Sequence, residues 1–157
     1  MAEAAPLHCL VYVSKIALSE RAHVRQTVLN ILTRSQHLNA RDNITGVLVF
    51  NQLFFAQALE GDRDSVDRTF ARISKDTRHT LPALVLKRAI PERSFANWTM
   101  CARQLSKLDS DILDQLEQTG AFPPPIGSGV LLLEQLKDIG RAHQAAFDLQ
   151  MQDVANF

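Results

Sequence analysis

The apolar positions of the first hundred residues follow two different periods. Leu7 to Ser14 (LHCLVYVS), Ile44 to Phe50 (ITGVLVF) and Leu53 to Leu59 (LFFAQAL) are short apolar runs carrying Val, Tyr and Phe, the pattern of buried strands. In the first run the neighbours on both sides are apolar, which predicts a sheet covered on both faces. Between the first two runs the period lengthens to that of a helix. Val24, Val28, Ile31, Leu32 and then Ser35 share one stripe, and Ser19 is placed to cap it. Asn39-Ala40-Arg41-Asp42-Asn43 reads as a polar loop after that helix. Asn51-Gln52 reads as a hairpin turn, though without the usual glycine. Glu60-Gly61-Asp62 punctuates the chain before a second helix with Val66, Phe70 and Ile73 inward. Leu84 to Leu86 anchors a fourth strand and Trp98 to Cys101 a fifth.

The order is β-α-β-β-α-β with one strand added, the pattern of a ferredoxin-like α+β sandwich. In that topology the first and third strands are adjacent in the centre, and right-handed crossovers put both helices on one face. After Ser106 the pattern changes. Asp109 to Gln118 reads as a short helix with Ile112, Leu113 and Leu116 apolar. Phe122-Pro123-Pro124-Pro125 and Gly127-Ser128-Gly129 form a breaker. Val130 to Gln150 reads as an amphipathic helix, with Leu132, Leu136, Ile139 and Ala146 at helical spacing. The chain thus divides into 1–105 and a helical extension, 106–157. The extension either covers the open face of the sheet, on or near it, or carries an output signal.

Composition narrows the function classes. The chain has 157 residues, with 17 Lys and Arg against 17 Asp and Glu. A formal charge of zero argues against a broad nucleic-acid interface, which needs a basic face. No apolar run is long enough to cross a bilayer. The start, MAEAAPLHCL, lacks the charged and apolar regions of a secretory signal. Two cysteines, Cys9 and Cys101, make no disulfide framework, so a cytoplasmic protein with reduced thiols is expected. No His, Cys or carboxylate spacing suggests a metal site.

Two polar residues interrupt the strands. Alternation puts Tyr12 on one face with Leu10, and Gln57 on one face with Leu53, Phe55 and Leu59. On adjacent central strands a phenol and an amide would meet inside the core. A glutamine there is costly unless its donors and acceptors are met. Taken alone, the pair is more simply a hydrogen bond that satisfies itself. Asn39 adds a third group able to reach the same cavity from the end of the first helix, although an asparagine there is more commonly a helix C-cap. An amide that donates and accepts at once suits the edge of a flavin ring, where carbonyl, N–H and carbonyl stand in a row.

The sequence resembles the BLUF family, flavin-binding blue-light sensor domains. The matching pieces are L-V-Y-V-S at 10–14, S-Q-H-L-N-A-R-D-N-I-T-G at 35–46, F-F-A-Q-A-L-E-G at 54–61, D-T-R-H at 76–79 and E-R-S-F-A-N-W-T-M at 92–100. The resemblance implies the ferredoxin-like fold and a non-covalent FAD held between the two helices. It makes Tyr12 the photoactive tyrosine, Gln57 the glutamine bridging it to the flavin, and Asn39 the asparagine on the ring's pyrimidine edge. Trp98 and Met100 match the fifth-strand pair near the glutamine and become the signal relay. Asp76, Arg78 and His79 match a segment near the ribityl chain, and Ser35 and Arg72 are further candidate cofactor contacts. Each has a plainer reading: Trp98 as core filler, Arg72 and Arg78 as solvated helix-end charges, His79 as structural. Leu38 departs from the family, many members of which carry a polar residue there that helps hold the flavin.

The implied mechanism is an electron, then a proton, passing from Tyr12 under blue light, recombination without net chemistry, and Gln57 left rotated or tautomerised. The chain is read as a sensor and not an enzyme, signalling through strand five and the extension to a partner protein. Apolar positions on the extension make a homo-oligomer an expectation. Two other classes compete. A small ferredoxin-like enzyme of acylphosphatase type would need an anion-binding loop after the first strand, and Ser14-Lys15-Ile16-Ala17 has no glycine cradle. A flavin-free interaction module would have no use for the intact Tyr12, Asn39 and Gln57.

Overall fold

The computed structural model of the chain describes residues 6–97, 99–106 and 129–141, apart from the side chain of Leu81. Its elements are β1 (Leu7–Ile16), a 3-10 turn (Leu18–His23), α1 (Val24–Asp42), β2 (Thr45–Phe50), β3 (Phe54–Asp62), α2 (Arg63–Ser74), β4 (His79–Ile90) and β5 (Cys101–Gln104). A further helix occupies 129–141. The five strands form one sheet in the order β4-β1-β3-β2-β5. Neighbours are antiparallel except β2 and β5, which run parallel. This is the expected ferredoxin-like arrangement, with β1 and β3 adjacent at its centre and β5 added beside β2.

Strand alternation sorts the core into two layers. Leu10, Tyr12 and Ile16 of β1 face α1 and α2, packing with Val24, Val28, Leu32 and Val66. Cys9, Val11 and Val13 face the other way. There they pack with Leu132, Leu133, Leu136 and Ile139 of the 129–141 helix. That helix therefore seals the second face of the sheet. The predicted 109–118 helix, and Ala146 of the last helix, lie outside the described residues.

Several boundaries differ from the sequence expectation, each for a local reason. The polar stretch at Asn39–Asn43 is not a loop: α1 continues to Asp42. Asn43 closes it in the left-handed region at φ 55°, with Ile44 N–H donating to Asn39 C=O (2.8 Å), so the chain turns without a glycine. Ser19 does not cap α1; it lies in the 3-10 turn, and the N-cap position is His23, whose side chain makes no capping bond. The β2–β3 turn dispenses with glycine because Asn51 Oδ1 accepts from the amides of Leu53 (2.7 Å) and Phe54 (2.8 Å). β3 runs on to Asp62, which then caps α2 by accepting from Ser65 N–H (3.0 Å). β4 is twelve residues long, and it tolerates Pro82 because it is an edge strand with irregular register opposite Val11/Tyr12 and Val13/Lys15. β5 begins at Cys101, so Met100 precedes the strand rather than lying in it.

Candidate functional site

The central strands decide where the phenol and the amide meet. In the β1–β3 ladder Tyr12 is paired directly with Gln57, so both side chains leave the sheet on the helix face at the same level. The Tyr12 hydroxyl donates to Gln57 Oε1. Both residues are buried, at 3% and 4% exposure, so water does not compete for this bond. Burial, with a smaller contribution from Asp76, pushes the Tyr12 phenol well above its usual range. The hydroxyl therefore stays protonated and remains a donor. The Tyr12 ring is fixed by Phe70 (centroids 5.4 Å apart) and meets His79 edge-on (6.2 Å).

Gln57 Nε2 donates to Met100 Sδ at 3.1 Å. A thioether only accepts, and Tyr12 offers its hydrogen to the other end of the amide. Of the two amide orientations, only this one satisfies both partners. Met100 is itself held over the site by α1. Gln36 Nε2 donates to Met100 C=O (3.3 Å), and Asn39 Nδ2 donates to Thr99 C=O (2.9 Å). Gly46 makes room for this crossing: a Cβ there would lie 2.0 Å from Ala58 O and 3.3 Å from Met100 Cε.

Above Tyr12 and Gln57 lies a cavity of ≈ 390 Å³ between the sheet and the two helices. The sheet contributes Tyr12, Leu48, Phe55 and Gln57. Ile31, Arg34, Ser35, Leu38 and Asn39 come from α1, with Thr69, Arg72 and Ile73 from α2. Lys75, Asp76, Thr77, Arg78 and His79 line the far end. The eight side chains expected at a cofactor site (Tyr12, Ser35, Asn39, Gln57, Arg72, Asp76, Arg78 and His79) all border this one cavity. Asn39 does so from inside the last turn of α1, not from a following loop. Trp98 lies outside the described residues.

The polar groups at the far end are ordered by their own bonds. Asp76 and Arg78 form a two-pronged ion pair with Arg78 Nε 2.9 Å from Asp76 Oδ1. That hydrogen bond holds the Asp76 carboxyl below the usual carboxylate range and raises the guanidinium. His79 Nε2 donates to Ile73 C=O (2.7 Å), and its Nδ1 meets Ser14 Oγ (2.7 Å). Arg72 lies 3.7 Å from Asp42, a weak contact that leaves its charge at the cavity wall.

Sequence reasoning missed part of this wall. Arg34 lies on the helical stripe of Ile31, Ser35 and Leu38, so the same periodicity that indicated α1 would have found it. Thr77 sits inside the D-T-R-H motif but was given no role there, and Lys75 carries no pattern; only the fold brings it to the cavity. Gln36 stood in the matched 35–46 piece without a role of its own. Among the described residues no group of His, Cys, Asp or Glu could hold a metal ion. No described helix is long and apolar enough to cross a membrane.

Comparison with known proteins gives a consistent result. The family model described as BLUF, sensors of blue-light using FAD, matches residues 7–101. The photoactivated adenylate cyclase subunit beta of Euglena longa is 30% identical over 119 residues, which is 72% of this chain but 14% of that protein. The chain thus corresponds to a small part of its curated relatives. Among solved structures, the photo-activated state of BlsA superposes with a TM-score of 0.71 at 26% identity, covering 83% of this chain and 94% of that one. The dark state of BlrB, a BLUF protein, gives 0.69 at 28% identity over 85% and 94%. Fold, cavity and family match converge, and the chain belongs to the BLUF family of flavin-using blue-light sensors.

Proposed function

We propose that this chain binds FAD non-covalently in the cavity between α1 and α2 and converts blue light into a rearrangement of the Gln57 amide. The observation that carries the reading is the buried Tyr12–Gln57–Met100 hydrogen-bond chain, of which Tyr12 and Gln57 line that cavity. The donor set fits a flavin nucleotide. The volume falls in the range of small-ligand sites. Two side-chain amides, Asn39 and Gln57, offer donors and acceptors to a ring edge. Arg34, Arg72, Lys75 and Arg78 line the cavity against a single carboxylate, Asp76, which suits a phosphate-bearing tail. Leu38 adds an apolar contact where it lines the wall.

When bound, the flavin supplies blue-light absorption and, once excited, the oxidising power. The protein supplies the rest. Tyr12 would serve as electron donor to the bound flavin, and its proton would move along the hydrogen bond to Gln57. Both would return to Tyr12, so the cycle would leave no chemical product. Gln57 is left turned, with Oε1 where Nε2 had been. That orientation sets an oxygen against the Met100 sulfur, acceptor against acceptor, and the contact breaks. An unsatisfied buried group costs about 1–3 kcal/mol, enough to bias a two-state element. Met100, with Trp98 beside it in sequence, is the first relay, and the segment into β5 carries the change outward.

The remaining assignments follow from the same reading. Residues 1–105 form the sensor and 106–157 an extension that passes the signal to a partner protein; the chain itself catalyses nothing. Exposed Leu84, Val130 and Leu131 favour a homo-oligomer, and two buried free thiols suit the reducing cytoplasm. The test is direct. The purified protein should be yellow, release FAD rather than FMN on denaturation, and show a reversible red shift under blue light. A colourless protein that takes up no flavin would overturn the reading.

A further inference from the structure

The strand that presents Gln57 to the cavity also carries Glu60, three residues on, and three residues along a strand means the opposite face. Glu60 is 1% exposed, on the side sealed by the 129–141 helix. Its carboxyl gathers donors from the β4–β5 connection and from the start of β2. Ser94 N–H donates to Oε2 (2.7 Å), and Phe95 N–H and Thr45 Oγ1 donate to Oε1 (2.9 and 3.1 Å). Arg93 closes the grip, donating to Thr45 Oγ1 (2.8 Å), Glu60 C=O (3.1 Å) and Asn43 C=O (2.8 Å). Phe95 is buried in the apolar layer under the helix. Five residues later the same segment has crossed to the other face, where Met100 touches Gln57.

One strand therefore holds both ends of the 93–100 segment, by Glu60 on one face and Gln57 on the other. Backbone amides bound by a buried carboxyl are strong contacts with no water to replace them. The Gln57–Met100 contact, by contrast, is a weak N–H···S bond. Under load, the Met100 side-chain contact gives way, while the 93–95 end stays and α1 holds the Thr99–Met100 backbone. We propose that Glu60 is a positioning residue for the light response: it fixes the 93–95 end of the segment so that the Met100 sulfur is set against the Gln57 amide. This rests on the photoreceptor reading above. It adds a residue on the face of the sheet away from the proposed flavin site, one that does not line the cavity between α1 and α2.

The experiment is a double-mutant cycle on the rate of thermal return to the dark spectrum, using the full chain with flavin bound. The variants are Glu60→Gln, Met100→Leu and both together. Glu60→Gln keeps the shape but turns one acceptor into a donor facing a backbone N–H. If Glu60 acts through Met100, each single change alters the recovery rate in the same direction, by at least roughly threefold. Glu60→Gln then adds less than about 1.5-fold in the Met100→Leu background. Equal effects of Glu60→Gln in both backgrounds, or none in the native background, overturn the inference. Should Glu60→Gln fail to take up flavin, Ser94→Pro replaces it in the same cycle and is read by the same two outcomes, since it deletes one of the two amide donors and leaves Glu60 intact. A native protein with no light response overturns the photoreceptor reading and this inference with it. A native protein that responds, with independent effects of the two residues, overturns this inference alone.

Discussion

Replacing Tyr12 with phenylalanine removes a single oxygen from the centre of the molecule and leaves nearly everything else in place. The ring keeps its packing against Phe70, and the strand keeps its pairing with β3. What disappears is the donor to Gln57 Oε1. Gln57 is 4% exposed, so water does not fill the gap, and its Nε2 is already committed to Met100 Sδ. An acceptor stranded in this way costs about 1–3 kcal/mol. For a chain of this length that lowers the melting temperature by roughly 2–12 °C. The functional effect is of a different order. Phenylalanine has no proton to pass along the chain and no phenol to oxidise, so Tyr12→Phe should bind flavin and show no light-induced red shift. The assay is a light-minus-dark absorption spectrum at matched flavin occupancy, with a thermal melt beside it. A red shift of native size in Tyr12→Phe would refute the reasoning, whatever the melt showed.

Three further outcomes follow from other parts of the structure. Asp76 has its pKa depressed, chiefly by its hydrogen bond to Arg78, so the folded state holds the charged form more firmly than the unfolded chain does. The stability this contributes is fully present above the ordinary value of 3.8 and is lost as pH falls through the lower folded value. Asp76→Asn should flatten the acid limb of a stability–pH profile, and an unchanged limb would exclude the pair as its source. Cys9 is pushed from 9.0 up to about 12, first by burial and then by Glu60. Folded Cys9 should therefore resist thiol reagents at pH 8 until the protein unfolds, and stability should decline as pH rises through 9, where only the unfolded thiol ionises. Leu136→Ala, under the 129–141 helix, should cost about 2–5 kcal/mol in denaturant unfolding while leaving the size of the light shift unchanged; a lost shift would mean that helix is part of the switch.

Much of the site was legible because it rests on strand alternation and on short motifs. Once β1 and β3 were placed side by side, the period of two was enough to bring Tyr12 and Gln57 to one face. The structure then pairs them at the same level of the ladder. Ser35 follows from the 3.6-residue period of α1 in the same way, whereas Arg72 came in only with the family resemblance. What was not legible is what depends on side chains satisfying backbone groups at a distance. Asn43 in a left-handed cap extends α1 by a full turn and moves Asn39 from loop to helix. Asn51, accepting from two amides, turns a hairpin without glycine. Glu60 looked like punctuation after an apolar run. Its three donors come from residues 45, 94 and 95, and nothing local to the sequence announces them. The start of β5 was likewise set by its pairing with Val47 and not by its own residues.

The proposed photocycle changes the hydrogen bonding of one side-chain amide, while Tyr12 and the flavin return to their starting states. A light-minus-dark infrared difference spectrum of protein labelled with isotopic glutamine reads this directly. The prediction is an amide band that shifts with the label, appears on illumination and decays at the same rate as the visible red shift, and is missing in Gln57→Leu. A native visible photocycle with no glutamine band in the difference spectrum would contradict it.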